Sequence, residues 1–167
     1  MLHWYAFVCF GGQSLRAADA SHSEQIKWGN ESVFNEEHNT LGLFSGVLGG
    51  QIVLAGGTSD DYSRWGRNAV CLSENAGFAL YEDVLSKPLA YGASITLSDG
   101  ILCIGGRDSS QCYEDVFFVT MQQGKLNVSE DWPPLPFPLS NAAGALLDNK
   151  VYLFGGRKSV SPSRLSD

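Results

Sequence analysis

The chain has 167 residues, the length of one domain, with 44% apolar and 17% charged residues, a balance that excludes a disordered chain and a coiled coil. Its net charge of −7 is carried without any basic cluster, which argues against nucleic acid and anionic membrane surfaces as partners. No apolar run approaches the roughly 18 residues of a membrane span, and 19 glycines among many short apolar runs predict strands joined by tight turns.

The N-terminal run MLHWYAFVCF is followed by GGQSLRAADA, in which Ala18-Asp19-Ala20 has the small-x-small form of a signal-peptidase site. No Lys or Arg precedes the apolar run. Residues 1–20 therefore read as a truncated signal peptide, with a first strand as the alternative. Cleavage there would place the mature chain, from Ser21, in a periplasmic or secreted setting. Of Cys9, Cys71, Cys103 and Cys112, the first would leave with the signal. The other three have no C-x-x-C or metal-ligand spacing and read as small core hydrophobes.

The next elements come in copies. LFSGVLGGQIVLAGG, up to Gly57, holds two apolar stretches around Gly49-Gly50. RNAVCLSE and FALYEDV then read as third and fourth strands. AYGASITLSDGILCIGG, ending at Gly106, repeats the hairpin around Ser98-Asp99-Gly100. It is followed by CYEDVFFVTM, Cys112 to Met121, a turn at Gln122-Gln123-Gly124, and LNVSEDW, Leu126 to Trp132. The connector PPLPFP forbids regular pairing. NAAGALLDNKVYLFGG then opens a third copy around Asp148-Asn149-Lys150. Asp-Gly and Asn at these turns predict positive φ. The closing Gly-Gly pairs stand 49 and 50 residues apart.

Four strands every 40 to 50 residues or so, with a Gly-Gly signature, predict an all-β fold of the β-propeller type. The Gly-Gly spacing resembles the kelch repeat, over residues 26–158. The blades fall at about 40–89, 90–139 and 140–167, the last incomplete. About two and a half blades do not close a ring. The expectation is a kelch-type propeller fragment, the N-terminal part of a longer protein, with an exposed apolar blade side that favours self-association.

In such a blade the start of strand one and the end of strand two lie on one face. That puts Tyr91 and Asn141 beside Arg107 and Arg157, which follow the second and third Gly-Gly pairs one blade apart. Arg64 and Arg67 belong to the corresponding loop of the first copy. Arginine offers a planar donor fork suited to a carboxylate. The competing reading pairs these arginines with local acids such as Asp108 or Glu114.

The segments Trp132 to Gly156, Ser45 to Asp61 and YGASITLSDGILCIGGRDSS resemble the sialic acid mutarotases, or N-acetylneuraminate epimerases, and in the last case their cyclically permuted group. The resemblance implies an exported six-bladed kelch propeller that interconverts the α and β anomers of N-acetylneuraminate without a cofactor. The loop GGTSDDYSRWGRNAVCL departs from the family, which more often has an Asn-Phe-Pro-type loop there. Ring opening needs a base for the anomeric hydroxyl and an acid for the ring oxygen. Asp60, Asp61, Asp108 and Glu114 are the candidates. Arg107, Arg157 and Arg64 would hold the carboxylate, with Asn141, Tyr91 and Trp65 against the sugar. Each also has a plainer reading, as a solvated loop acid, an ion-pair partner or packing. No P-loop, nucleotide or zinc pattern is present, and His3, His22 and His38 fall outside the repeat core. A non-catalytic kelch module binding a protein or glycan is the alternative, and a copper oxidase a weaker one for want of histidines.

Overall fold

Alternating apolar and polar residues, broken by Gly, Asp and Asn, leave few ways to satisfy the backbone other than short antiparallel strands. The computed structural model describes residues 8–10, 13–17, 28–31, 41–73 and 77–160, with side chains from 41 onward. These residues form strands β1 (Val8–Phe10), β2 (Gln13–Ala17), β3 (Trp28–Glu31), β4 (Phe44–Leu48), β5 (Gln51–Ala55), β6 (Ala69–Ser73) and β7 (Gly77–Tyr81). The chain continues through β8 (Ala93–Thr96), β9 (Ile101–Ile104), β10 (Val116–Gln122), β11 (Lys125–Ser129), β12 (Ser140–Leu147) and β13 (Lys150–Arg157). Among the described residues there is no helix.

All pairing is antiparallel between chain neighbours. The sheets are β4 to β7, β8 to β11, the hairpin β12–β13, and the three-stranded β1-β2-β3. Two four-stranded antiparallel sheets followed by a hairpin are consistent with the all-β propeller fragment expected from sequence. The three-stranded sheet of β1 to β3 lies over the segment read as a signal peptide and the residues after it. The pattern Ala18-Asp19-Ala20 itself lies outside the described residues, as do the three histidines.

The innermost strands β4, β8 and β12 lie side by side. The Ser45 amide donates to Ser94 Oγ at 3.0 Å and the Val47 amide to Thr96 Oγ1 at 3.1 Å, joining the first two sheets. Between these sheets lies a core of Phe44, Val53 and Cys71 against Ile101, Cys103, Phe117 and Val119. Phe44 and Phe117 meet edge to face at 5.2 Å. Ala93, Ile95, Leu102 and Ile104 turn the other way, toward Leu153 of β13. Both faces of β9 are covered, which is why ILCI reads as a continuous apolar run. On β13 the positions matching Leu102 and Ile104 are Tyr152 and Phe154, which stack on each other at 6.5 Å and are 41% and 60% exposed.

The hairpins reach their geometry by two routes. Gly49-Gly50 and Asp148-Asn149 are two-residue turns, all four residues at positive φ. The turn at Ser98-Asp99-Gly100 does not follow the expectation of positive φ. It spans four residues, closed by Leu97 N donating to Gly100 O at 2.8 Å, and neither Asp99 nor Gly100 has positive φ. Gly100 is there for space, since a Cβ would stand 2.3 Å from the Phe118 ring. A second difference concerns the third Gly-Gly pair, which stays inside strand β13 rather than ending it.

Candidate functional site

The loops that join the sheets on one face repeat a single hydrogen-bond pattern. Leu41 bridges Thr58, Ala90 bridges Arg107, and Ser140 is in register with Arg157. Thr58, Arg107 and Arg157 are therefore equivalent, as the Gly-Gly spacing implied. One residue further on stand Gly42, Tyr91 and Asn141, all left-handed, with φ of 66°, 61° and 57°. Tyr91 N donates to Gly42 O and Asn141 N to Tyr91 O, each at 2.7 Å. These bonds link successive blades along the rim. A left-handed aromatic residue is uncommon and marks a place where structure is held against local preference. The Tyr91 ring covers Gly42 so closely that a Cβ there would stand 2.8 Å from it.

Arg107 packs against two rings. Its Cζ is 5.1 Å from the centre of Trp65 and 5.4 Å from that of Tyr91. Its backbone is fixed by reciprocal bonds with Ala90, of 2.8 and 2.9 Å. Trp65 and Tyr91 in turn meet edge to face at 6.3 Å. The half-buried guanidinium and the two rings thus form a three-cornered cluster, with both aromatic neighbours toward one side of Arg107, whose planar donor fork is of a kind that suits a carboxylate. Burial, a hydrogen bond with Tyr62 and the nearby charge of Asp60 together push the Tyr91 hydroxyl above its ordinary pKa, against the opposing effect of Arg107. Tyr91 is a neutral hydrogen-bonding group at physiological pH.

The loop of residues 58–66 supplies the second wall. Buried Thr58 donates from Oγ1 to Arg64 O at 2.7 Å. Ser59 N donates to the same carbonyl at 3.0 Å, and Arg64 N to Ser59 Oγ at 3.0 Å. Asp61 accepts from Ser59 Oγ at 2.6 Å, Ser63 Oγ at 2.7 Å and Ser63 N at 3.0 Å. The Ser59 bond first, then those from Ser63, hold its pKa down to about 2. Tyr62 N donates to Ser59 O at 2.9 Å, and Trp65 Nε1 to Tyr62 O at 3.1 Å. The loop is a closed hydrogen-bonded unit that delivers Trp65 to Arg107.

Asp108 plays the part of Asp61 in the second copy. It accepts from Ser110 N at 2.7 Å, Ser110 Oγ at 2.8 Å, Gln111 N at 2.9 Å and Tyr113 OH at 2.6 Å. Partial burial works to raise its pKa, but the bonds from Tyr113, Ser110 and Gln111 prevail and hold it at about 2. Both folded values lie below the unfolded carboxyl value of about 3.9. The stability these clamps contribute is therefore complete above the unfolded value and lost as pH falls through the folded one. Tryptophan fluorescence, to which Trp65 contributes as one of four tryptophans, followed from pH 5 to pH 1.5 should hold steady down to about pH 4 and change between there and about pH 2. A transition centred at pH 5 or above would assign the change to other groups.

The structure thus brings Arg107, Tyr91 and Trp65 together, with Asn141 joined to Tyr91 through the backbone. Asn141 is exposed, its Oδ1 accepting from Ser140 Oγ at 3.1 Å. Arg157 is exposed one blade further on, and its equivalents of Trp65 and Tyr91 are Cys112 and Asn141. Arg64 has an exposed side chain in the flanking loop, and Arg67 pairs with Asp83. Glu114 is exposed at the entry to β10, where its carbonyl accepts from Leu135 N at 2.8 Å. Asp60 is exposed and close enough for its charge to act on Tyr91. Tyr62 was not singled out from sequence, yet it joins the cluster through Tyr91 and Trp65.

No protein-family model and no curated protein sequence matches the chain. Among solved structures, that of YjhT is similar, with a TM-score of 0.63 at 12% sequence identity over 91% of this chain. The chain spans 58% of that structure's length. At this identity the likeness concerns the fold alone, and it agrees with successive antiparallel blades of a β-propeller.

Proposed function

We propose that the rim around Arg107 binds a sugar carboxylate, and that the complete protein is a kelch-type propeller that interconverts the anomers of a sialic acid. One observation carries this reading: a half-buried guanidinium on the rim packed against the rings of both Trp65 and Tyr91. The sequence resemblance to sialic acid mutarotases supplies the substrate, the six-bladed ring and the exported location.

In this reading Arg107 orients the carboxylate, with Arg157 and Arg64 adding positive charge around it and Asn141 offering its amide. Tyr91 and Trp65 pack on the sugar. A base removes the anomeric hydroxyl proton, the bond between the anomeric carbon and ring oxygen breaks to give the open ketone, and the ring oxygen takes up a proton. Reclosure on the other face of the ketone gives the other anomer. Asp61 and Asp108 are committed to their loops and suit this role poorly. Asp60, whose charge reaches Tyr91, is the acid placed best to accept the proton.

The test is saturation-transfer NMR on N-acetylneuraminate with the intact protein. Exchange between anomers should rise with protein concentration. Exchange at the buffer rate would overturn the catalytic part. Line broadening of the sugar without faster exchange would leave a binding module.

A further inference from the structure

Opening a sugar ring puts a proton on the ring oxygen, and the carboxylates of the rim do not supply it. Asp61 and Asp108 are held ionised by their loops, and an ionised carboxylate has no proton to give. Tyr91 has one. Its ring stands 5.4 Å from the Arg107 guanidinium carbon and 6.3 Å from the Trp65 ring, inside the cluster that would take the sugar.

The backbone singles out Tyr91 together with Tyr62. Both are left-handed, with φ of 61° and 60°. Bulky residues rarely adopt that conformation, and it persists only where the surroundings impose it. At Tyr91 it is imposed by the rim bonds to Gly42 and Asn141, and at Tyr62 by the closed loop of residues 58–66. The result is a hydrogen bond between the two hydroxyls. Packing alone would need the rings and not the hydroxyls. The two also differ in exposure. Tyr91 is half-buried, whereas Tyr62 is 50% exposed. The pair leads from solvent to the rim beside Arg107.

We infer that Tyr91 is the acid that protonates the ring oxygen, and that Tyr62 resupplies its proton from water. This rests on the reading of the rim as a sugar-acid isomerase site. As the base takes the anomeric hydroxyl proton, the ketone forms and the bond to the ring oxygen breaks. The electron pair of that bond passes to the ring oxygen, which takes the Tyr91 proton. The transfer is favourable because an alkoxide is more basic than a phenolate. The phenolate left behind lies beside the Arg107 cation and regains a proton through Tyr62. The base releases one proton to water for each that enters, and reclosure runs the same steps backward. Tyr91 is the catalytic residue here. Tyr62 acts only through it, holding the Tyr91 hydroxyl in place and passing it a proton.

The experiment follows anomer exchange of N-acetylneuraminate by saturation-transfer NMR and its affinity by calorimetry, on the intact protein. Tyr91→Phe keeps the ring, and should slow exchange at saturating sugar about 100-fold or more with affinity within about twofold of wild type. Tyr62→Phe alters one exposed hydroxyl, and should slow exchange roughly tenfold at unchanged affinity, since water can reach Tyr91 directly but less well. Exchange at the wild-type rate in Tyr91→Phe overturns the assignment. A Tyr91→Phe protein that loses affinity and exchange in equal measure also overturns it, as the mark of a packing role. An unchanged rate in Tyr62→Phe overturns the supply of protons through Tyr62. If the wild type binds the sugar without speeding exchange, the isomerase reading falls and the acid with it.

Discussion

Gly105→Ala is expected to destabilise the 167-residue chain by about 3–5 kcal/mol, while Gly155→Ala should cost about 1–2 kcal/mol. The two glycines occupy the same place in consecutive repeats and have nearly the same φ, 64° and 70°. The left-handed penalty on an alanine is therefore shared, and their surroundings account for the rest. A Cβ on Gly105 would stand 2.1 Å from the carbonyl oxygen of Leu139, whereas nothing lies within 4 Å at Gly155. That oxygen also accepts from Gly106 N at 2.8 Å, a bond worth about 1 kcal/mol that the displaced backbone would lose. Gly56 repeats the arrangement against Leu89, at 2.2 Å, with Gly57 N donating to the same carbonyl at 2.8 Å. Urea unfolding of the two alanine variants checks the comparison, and the corresponding fall in melting temperature for Gly105→Ala is roughly 10 °C. Equal losses at the two sites would mean that conformation alone, not the close approach of the Leu139 carbonyl, demands the glycines.

The repeat was legible because the same constraint recurs. Three Gly-Gly pairs 49 and 50 residues apart carry the period, and the near-continuous apolar runs ILCI and VFFV report strands covered on both faces. The turn at Asp99-Gly100 misled, since Asp-Gly is the usual mark of left-handed residues. Here the Phe118 ring, a neighbour on β10, sets the need for glycine, and nothing local in the sequence shows which side chain stands above a turn. Among the candidate acids, the pattern Asp-x-Ser at Asp61-Ser63 and Asp108-Ser110 was a readable sign of side chains that cap their own loops. Which rings would wall Arg107 was harder to read. Tyr91 could be placed on the rim by its repeat position. Trp65 arrives through a loop whose fold depends on buried Thr58 and on bonds that skip five residues, from Arg64 to Ser59. Tyr62 is carried by that same loop, so it stayed hidden until the loop was seen closed.

Arg107→Ala should weaken N-acetylneuraminate binding about 30- to 100-fold, and Arg157→Ala by no more than about threefold. The sequence places the two arginines as equals, and the backbone register agrees. Their surroundings do not. Arg107 is half-buried against Trp65 and Tyr91, so its side chain is more ordered before a ligand arrives. Arg157 is exposed, with Cys112 and Asn141 where those rings would be, and must give up side-chain freedom of about 0.5–1.5 kcal/mol on binding. A preordered guanidinium can return most of the 1.5–3 kcal/mol of a charged hydrogen-bonded contact, which sets the larger figure. Arg107→Lys should recover little of the loss, because an ammonium offers no planar fork to a carboxylate. The exposed-site stacking that Arg107→Ala removes is worth about 0.5–1 kcal/mol, so the variant should melt within a few degrees of the wild type. Calorimetric titration of the three variants, paired with melting curves, separates the outcomes. An Arg107→Ala protein that binds as before would return this arginine to a packing role against two rings. A loss at Arg157 equal to that at Arg107 would show that charge at the rim, and not the ordering of the guanidinium, is what the ligand reads.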